Sequence, residues 1–222
     1  LLLLTIFLLS IQSPLLLENS QSSETSGRAQ TIWSGQITLN NHYTIPVTDE
    51  LVIEECTNVT MSNDVRIYVE GRITVEGTAN CPVYFDYAGG GDHMGIQFNS
   101  SSNGRGSRID NASIIHSTYG ITVYGSNPYL ANVTVFDPDD VGVDLFSSAT
   151  PTIRNLVIDE AGQDWSFPVY WRYGIGLSIG AGSAPNIDGL TVSDAVTRGL
   201  NVWGNSGGLI RNLSLTNITG AT

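Results

Sequence analysis

The densest group of side chains able to do chemistry is a run of carboxylates in the middle of the chain. Its members are Asp137, Asp139, Asp140 and Asp144. Carboxylate oxygens at this density can hold Ca²⁺, which prefers hard oxygen ligands. Their spacing matches neither an EF-hand loop nor a calcium-binding nonapeptide repeat. An ordinary acidic turn is therefore the favoured interpretation, and Ca²⁺ is the one candidate cofactor.

A second candidate site is an aromatic segment that covers residues 159–173. Its possible ligand-binding residues are Asp164, Trp165, Phe167, Tyr170, Trp171, Arg172 and Tyr173. Aromatic rings can stack on sugar rings, while Asp164 and Arg172 can supply hydrogen bonds. The alternative is that the rings fold back and cover the surface of the protein itself.

The charge of the chain restricts its partners. There are 21 acidic and nine basic residues, which gives a formal charge of −12. Such a surface repels nucleic-acid phosphates and anionic lipids, so neither is an expected partner. It also repels uronic acids, and neutral glycans or components of the cell envelope are the expected ligands.

The histidines form no catalytic pattern. His42, His93 and His116 have no fixed spacing, and each is expected to be a solvated turn or coil residue. No catalytic residue is predicted, and the chain is interpreted as leaning towards a protein without enzymatic activity.

Two N-terminal segments precede the predicted domain. Residues 1–17 begin with an apolar run that is typical of the core of a secretory signal peptide, with a membrane anchor as the alternative. Residues 18–31 are polar and aperiodic, which indicates a linker. Either interpretation predicts that the remaining residues, 32–222, are secreted or displayed at the cell surface. A membrane contact is expected only through residues 1–17, if they are not cleaved.

An internal repeat indicates the fold that must position the candidate sites. Five segments share an apolar–x–Asn/Gly–apolar–x–apolar pattern, and they begin at Ile109, Leu130, Ile153, Ile187 and Ile210. Alternating side chains of this kind are typical of short strands. A single repeat cannot bury its apolar face, so repeats must stack and pair in parallel. The third position forms an Asn column, which we expect at a corner with stacked amides.

A second pattern, Gly–apolar–x–apolar, lies between these segments. It begins at Gly120, Gly142, Gly176 and Gly199. We expect this Gly column to mark a bend with an unusual backbone conformation.

These patterns predict an all-β domain, a right-handed parallel β-helix of roughly eight coils, over residues 32–222. The segment that starts at Ile210 has no second strand before Thr222. We therefore expect the printed sequence to be truncated at its C-terminus.

One stretch carries a family resemblance. The residues from Gly71 to Phe85 (GRITVEGTANCPVYF) resemble the G-x-L-x-x-x-G-T-x-x-x-P-I-x-F stretch of secreted right-handed β-helix repeat proteins. Gly95-Ile-Gln-Phe is similar to the coil that follows in that pectin-lyase-like fold. The resemblance implies the fold and is nearly silent on activity, because the family includes lyases, hydrolases and adhesins. Of the paired Asp, G-H-G and R-I-K motifs of polygalacturonases, only Asp139-Asp140 is present.

The two cysteines, Cys56 and Cys81, lie in no metal-binding motif. In an exported chain a disulfide is favoured over two free thiols. Cys56 follows Leu51-Val-Ile, and the equivalent position one repeat later is Thr78, close to Cys81. We therefore expect a disulfide between adjacent coils.

Six N-x-Ser/Thr sequons are present in the chain. They start at Asn58, Asn99, Asn111, Asn132, Asn212 and Asn217. Three of them coincide with the Asn column and are interpreted as structural. Asn99 and Asn58 remain as candidate glycosylation sites.

Two functional hypotheses follow. The first is a non-catalytic cell-surface β-helix scaffold that contacts glycans or mediates adhesion. The alternative is a polysaccharide lyase or hydrolase with its site on a lateral face or in further C-terminal coils. Acidic or histidine side chains stacked on neighbouring coils would favour the enzyme.

Overall fold

The computed structural model describes residues 21–25, 28–89, 91–162 and 173–220. The predicted signal peptide or anchor, residues 1–17, lies outside them. In chain order the strands are β1 Gln21–Thr25, β2 Arg28–Trp33, β3 Gln36–Leu39, β4 Tyr43–Ile45, β5 Glu50–Ile53, β6 Asn58–Met61, β7 Ile67–Val69, β8 Arg72–Glu76, β9 Val83–Tyr87, β10 Ile96–Phe98, β11 Arg108–Tyr124, β12 Tyr129–Phe146, β13 Thr152–Asp159, β14 Ile175–Ile179, β15 Asn186–Ser193, β16 Arg198–Val202 and β17 Leu209–Thr216. One 3₁₀ turn covers Ser100–Ser102. No described helix is long and apolar enough to cross a membrane.

The strands wind into about eight coils and form three parallel faces. Sheet A contains β2, β5, β8 and the first residues of β11, β12, β13, β15 and β17. Sheet B contains β3, β6, β9 and the later residues of those same five strands. Sheet C contains β4, β7, β10, the ends of β11 and β12, then β14 and β16. The predicted all-β solenoid is confirmed.

The core fills the space between the three sheets. Alternate strand residues point inward, and Phe85, Phe98 and Met61 are among the largest fully buried side chains. Each inward position repeats one coil later, as Ile67, Ile96 and Ile121 do in sheet C. Because equivalent apolar residues stack along the axis, every coil depends on its neighbours for burial.

The Asn column lies at the corner between sheets A and B, as predicted. Asn111, Asn132, Asn155 and Asn212 all have φ between 47° and 54°, the left-handed region that Asn tolerates better than most residues. The Nδ2 of Asn155 donates to the Oδ1 of Asn132 at 2.9 Å, and that of Asn111 donates to the Gly77 carbonyl at 2.9 Å. One residue type thus turns the chain and joins adjacent coils.

The prediction that the Gly column marks an unusual backbone conformation is wrong. Gly120, Gly142, Gly176 and Gly199 are absent from the positive-φ residues of the described chain. They are needed for space instead: a Cβ on Gly142 would lie 2.5 Å from the Cγ2 of Ile158 and 2.8 Å from the Gly176 carbonyl oxygen. At each of these glycines, the missing side chain leaves room for an inward side chain of sheet B to pack against the backbone where sheet C begins.

We therefore expect Gly142→Ala to lower the free energy of unfolding by about 2 kcal/mol through overpacking. Gly207→Ala is the matched control, because a Cβ there meets no atom within 4 Å and its φ is not positive. Urea denaturation of both variants measures the effect. Equal stability of the two would contradict the packing explanation.

The predicted disulfide is confirmed. Cys56 and Cys81 are bonded, with their Cα atoms 4.7 Å apart, and they join adjacent coils. The backbone N–H of Cys56 also donates to the Cys81 carbonyl at 3.2 Å.

The predicted linker, residues 18–31, needs a correction, because part of it is structured. Gln21–Thr25 pairs antiparallel with β2, and the first coil begins at Arg28. Residues 30–33 pair in parallel with β5. Backbone hydrogen bonds thus place this segment in the sheet, although its sequence lacks the apolar alternation from which a strand could be predicted.

Candidate active site

The corner between sheets B and C is turned by polar residues. In successive coils the residue after the sheet B strand has φ between 52° and 57°, and these residues are His116, Asp137, Glu160, Asp194 and Asn217. We call this the B–C corner. Because these residues share a left-handed backbone conformation, their side chains project from the corner in the same way. Titratable side chains therefore stand at equivalent positions of successive coils.

The first pair at the B–C corner joins two coils. The Nδ1 of His116 lies 2.9 Å from the Oδ1 of Asp86, a residue of β9 in the preceding coil. This hydrogen bond raises the pKa of His116, with further contributions from the charges of Asp86, Asp137 and Asp92. Both side chains of the pair remain accessible, with 47% and 40% of their surface exposed.

The second pair consists of two carboxyl groups. Asp92, in the loop between β9 and β10, lies close enough to Asp139 of β12 for their side chains to share a hydrogen bond. Two carboxyl oxygens can share a hydrogen bond only if one of them carries a proton. Burial first, and then the charge and hydrogen bond of Asp92, raise the pKa of Asp139 to about 7, and Asp137 and Asp140 add further negative charge.

The loop that carries Asp92 is held against the corner by its backbone. The Asp92 carbonyl accepts from the N–H of Asp64 at 3.0 Å. The next residue, His93, donates its N–H to the His116 carbonyl at 3.3 Å and accepts from the N–H of Thr118 at 2.8 Å. These bonds join the loop to the coil before it and to the coil after it at this corner.

The prediction that His93 is solvated is wrong. Its side chain is fully buried, because the loop folds over the corner instead of pointing into solvent. Its Nδ1 accepts from the N–H of Gly95 at 2.9 Å, and its Nε2 lies 3.0 Å from the Ile115 carbonyl oxygen. Burial lowers the pKa of His93 to about 4, so the ring is neutral at pH 7. Its two hydrogen bonds hold the loop together and join it to the neighbouring strand.

The aromatic segment begins and ends at the same corner. The N–H of Gly162 donates to the Pro138 carbonyl at 2.8 Å, and that of Gly174 donates to the Asp139 carbonyl at 3.3 Å. Tyr173 is buried and donates its hydroxyl to the Gly162 carbonyl. The other candidate ligand-binding residues lie outside the described residues; they are Asp164, Trp165, Phe167, Tyr170, Trp171 and Arg172.

The four carboxylates proposed as a Ca²⁺ site do not come together. Asp137, Asp139 and Asp140 lie at the corner, whereas Asp144 sits further along β12, paired with Thr122 and Ser178 of neighbouring strands and 2% exposed. Within the part of the chain that the structure describes, no group of three His, Cys, Asp or Glu side chains is arranged to hold a metal ion.

The two candidate glycosylation sites differ in their surroundings. The Nδ2 of Asn99 donates to Glu70, and its Oδ1 accepts from the Nε2 of Gln97 at 2.7 Å. Asn58 begins β6 and is half-buried. Modification of either residue stays a prediction.

Protonation of Asp139 predicts a pH-dependent stability. Its folded pKa of about 7 lies above the unfolded value of about 3.9, so folding favours the protonated form. The cost of ionisation is absent below pH 4 and complete above pH 7. The free energy of unfolding should therefore fall by about 1–2 kcal/mol between those limits, allowing for solvent around the half-buried group.

Asp139→Asn should remove most of this pH dependence, and urea denaturation at several pH values measures it. The raised pKa of His116 acts in the same direction: its stabilisation is present below pH 6.5 and is lost as the pH rises through its folded pKa. Glu76→Gln, at an exposed carboxylate of β8, is the control. An unchanged pH profile in Asp139→Asn would contradict the shared proton.

Sequence reasoning found only part of this corner. It selected Asp137, Asp139 and Asp140 but missed Asp86 and Asp92, and it assigned His116 to solvent. Together these groups can donate a proton near neutral pH, accept protons and bind hydroxyl groups. A carboxyl group with a strongly raised pKa, such as that of Asp139, is a feature of functional sites.

A family model described as a right handed beta helix region matches residues 37–219. No curated protein and no solved structure matches the chain.

Proposed function

Because this chain belongs to the right-handed β-helix family, we propose that it is an exported cell-surface protein that binds neutral glycans at the B–C corner. Export is supported by the apolar N-terminal run and by the disulfide, which is typical of oxidising compartments. The fold supplies a rigid rod whose lateral faces are open to ligands.

One observation supports the proposal: the described residues on either side of the aromatic segment, Gly162 and Gly174, are bonded at the corner that carries the acidic groups. The stems of the aromatic segment are bonded to the backbone of residues 138 and 139, next to the Asp92–Asp139 pair. Sugar sites combine flat rings for the apolar faces with a few hydrogen-bonding groups for the hydroxyls. A negative corner also disfavours uronic acids, which supports neutral glycans as ligands.

A glycan array tests the proposal with the intact chain. The wild type should bind neutral glycans in preference to acidic ones. The double variant Trp165→Ala, Trp171→Ala should weaken binding by roughly 10-fold per ring if the rings stack on sugars. Loss of thermal stability with unchanged binding would instead show that the rings cover the protein surface, and it would remove the proposed site.

Hydrolysis of the bound glycan is the second candidate function, and the Asp92–Asp139 pair favours it. A carboxyl group that keeps its proton near pH 7 can act as a general acid towards a glycosidic oxygen. Asp137 and Asp140 flank it and can supply the second carboxylate that such a reaction needs. Acidic and histidine side chains at one corner of several coils, such as Asp92, His116 and Asp139, support this candidate over a bare scaffold.

A further inference from the structure

An uncharged strip follows another corner of the solenoid, between sheets C and A. In coils four to seven this corner is formed by residues 124–127, 146–151, 180–186 and 203–208, and none of these residues is charged. The chain as a whole carries 21 acidic and nine basic residues. Charge is therefore segregated, with carboxylates at the B–C corner and a neutral surface here.

Aromatic side chains line this strip at the end of sheet C. Tyr124 pairs with Phe146 of the next coil, and their ring centroids are 5.0 Å apart with planes inclined at 70°. Continuing the register by one residue places Gly180 beside Phe146 and Trp203 beside Gly180. Tyr124 is 41% exposed and Trp203 is 43% exposed. We call Tyr124, Phe146 and Trp203 the aromatic row.

Glycine at position 180 makes room for the tryptophan ring. A Cβ on Gly180 would lie 2.1 Å from the Cε2 of Trp203, so the indole rests on bare backbone one coil back. Its Nε1 lies 3.4 Å from the Oγ of Ser178 and donates to it. The ring is thus held against the sheet over coil six, and the row takes its residues from coils four, five and seven.

We propose that the aromatic row binds a neutral, unbranched polysaccharide that lies along the solenoid axis. Coils repeat every 4.8 Å or so, which is close to the length of one sugar in an extended chain, so the exposed rings of Tyr124 and Trp203 can contact different sugars of the same chain. Exposed neutral groups of the strip, among them Asn127, Ser148 and Asn205, can bond to hydroxyls. An anionic chain would find no basic partner on this strip.

Binding of a glycan to the aromatic row does not depend on binding at the B–C corner. The two lie at opposite ends of the sheet C strands, and the row contains no carboxyl or imidazole group. A long glycan could occupy either surface without the other, so each can fail separately.

Isothermal titration with cellohexaose, β-1,4-mannohexaose and hexagalacturonate tests the row. Trp203→Ala and Tyr124→Ala should each raise the Kd for a neutral hexasaccharide roughly tenfold. Trp203→Phe should keep most of the affinity because it retains a ring. Tyr84→Ala is the matched control, since this tyrosine is 39% exposed on sheet B, away from the strip. Melting temperatures confirm that each variant is folded.

Three results would overturn the proposal. The first is no binding of either neutral hexasaccharide by the wild type. The second is equal affinity in Tyr84→Ala and the folded row variants. The third is binding of hexagalacturonate as tight as that of the neutral sugars. Affinity that falls in the double variant Trp165→Ala, Trp171→Ala but not in Trp203→Ala would support the B–C corner and overturn the row.

Discussion

Replacing Cys56 and Cys81 together by serine is expected to lower the free energy of unfolding by about 3 kcal/mol. The bond closes a loop with a sequence separation of 25 residues, and a cross-link of that span removes chain entropy from the unfolded state. The native coils lose little, since the backbone bond between the two residues remains. For a domain of this size the melting temperature should fall by about 10 °C.

Reduction of the wild type provides the control for that prediction. A reducing agent should produce the same decrease in melting temperature, and it should have no effect on the double variant. Hydrogen exchange should increase most in the coils that contain β5 to β9, because a solenoid transmits stability mainly between neighbours. Two alkylatable thiols in the folded protein, or an unchanged melting temperature, would contradict the structural bond.

The fold could be predicted because its rule is local and repeated. Asn111, Asn132 and Asn155 occupy the same position relative to the apolar residues of their strands. A stacked solenoid is the fold in which every coil needs the same residue at that position. The disulfide followed from the same period. The Gly column shows the limit: Gly142 is visible as a repeat, but whether it serves the backbone or packing depends on Ile158, which belongs to the next coil.

The candidate site could be predicted only in part, because its contacts do not follow the period. Asp92 lies in a loop that departs from the coil length, and its contact with Asp139 depends on the path of that loop. The B–C corner is turned by His, Asp, Glu and Asn in different coils, so no single letter marks it. The antiparallel β1 escaped prediction for a related reason: backbone pairing alone defines it.

The chemistry of the corner depends on which carboxyl group keeps its proton. Asp139 is raised to a pKa of about 7 chiefly by burial, so the protonated acid is populated at neutral pH. The charge and hydrogen bond of Asp92 raise the pKa of Asp139 further. Asp137 and Asp140 stay close by and add negative charge that would stabilise a developing oxocarbenium ion. If the corner hydrolyses glycans, as the second candidate function proposes, Asp139 would donate the proton to the glycosidic oxygen.

Asp139→Asn is therefore expected to slow glycan hydrolysis by roughly a hundredfold or more, while changing glycan affinity only a few-fold. Asparagine keeps the shape and a hydrogen bond but cannot transfer the proton. The assay is the release of reducing ends from a panel of neutral polysaccharides at several pH values, and wild-type activity should decline above pH 7 as Asp139 ionises. Asp194→Asn, at the same corner two coils further on, is the matched control and should retain activity. No release by the wild type from any member of the panel, or equal rates in both variants, would eliminate hydrolysis and leave glycan binding as the function of the corner.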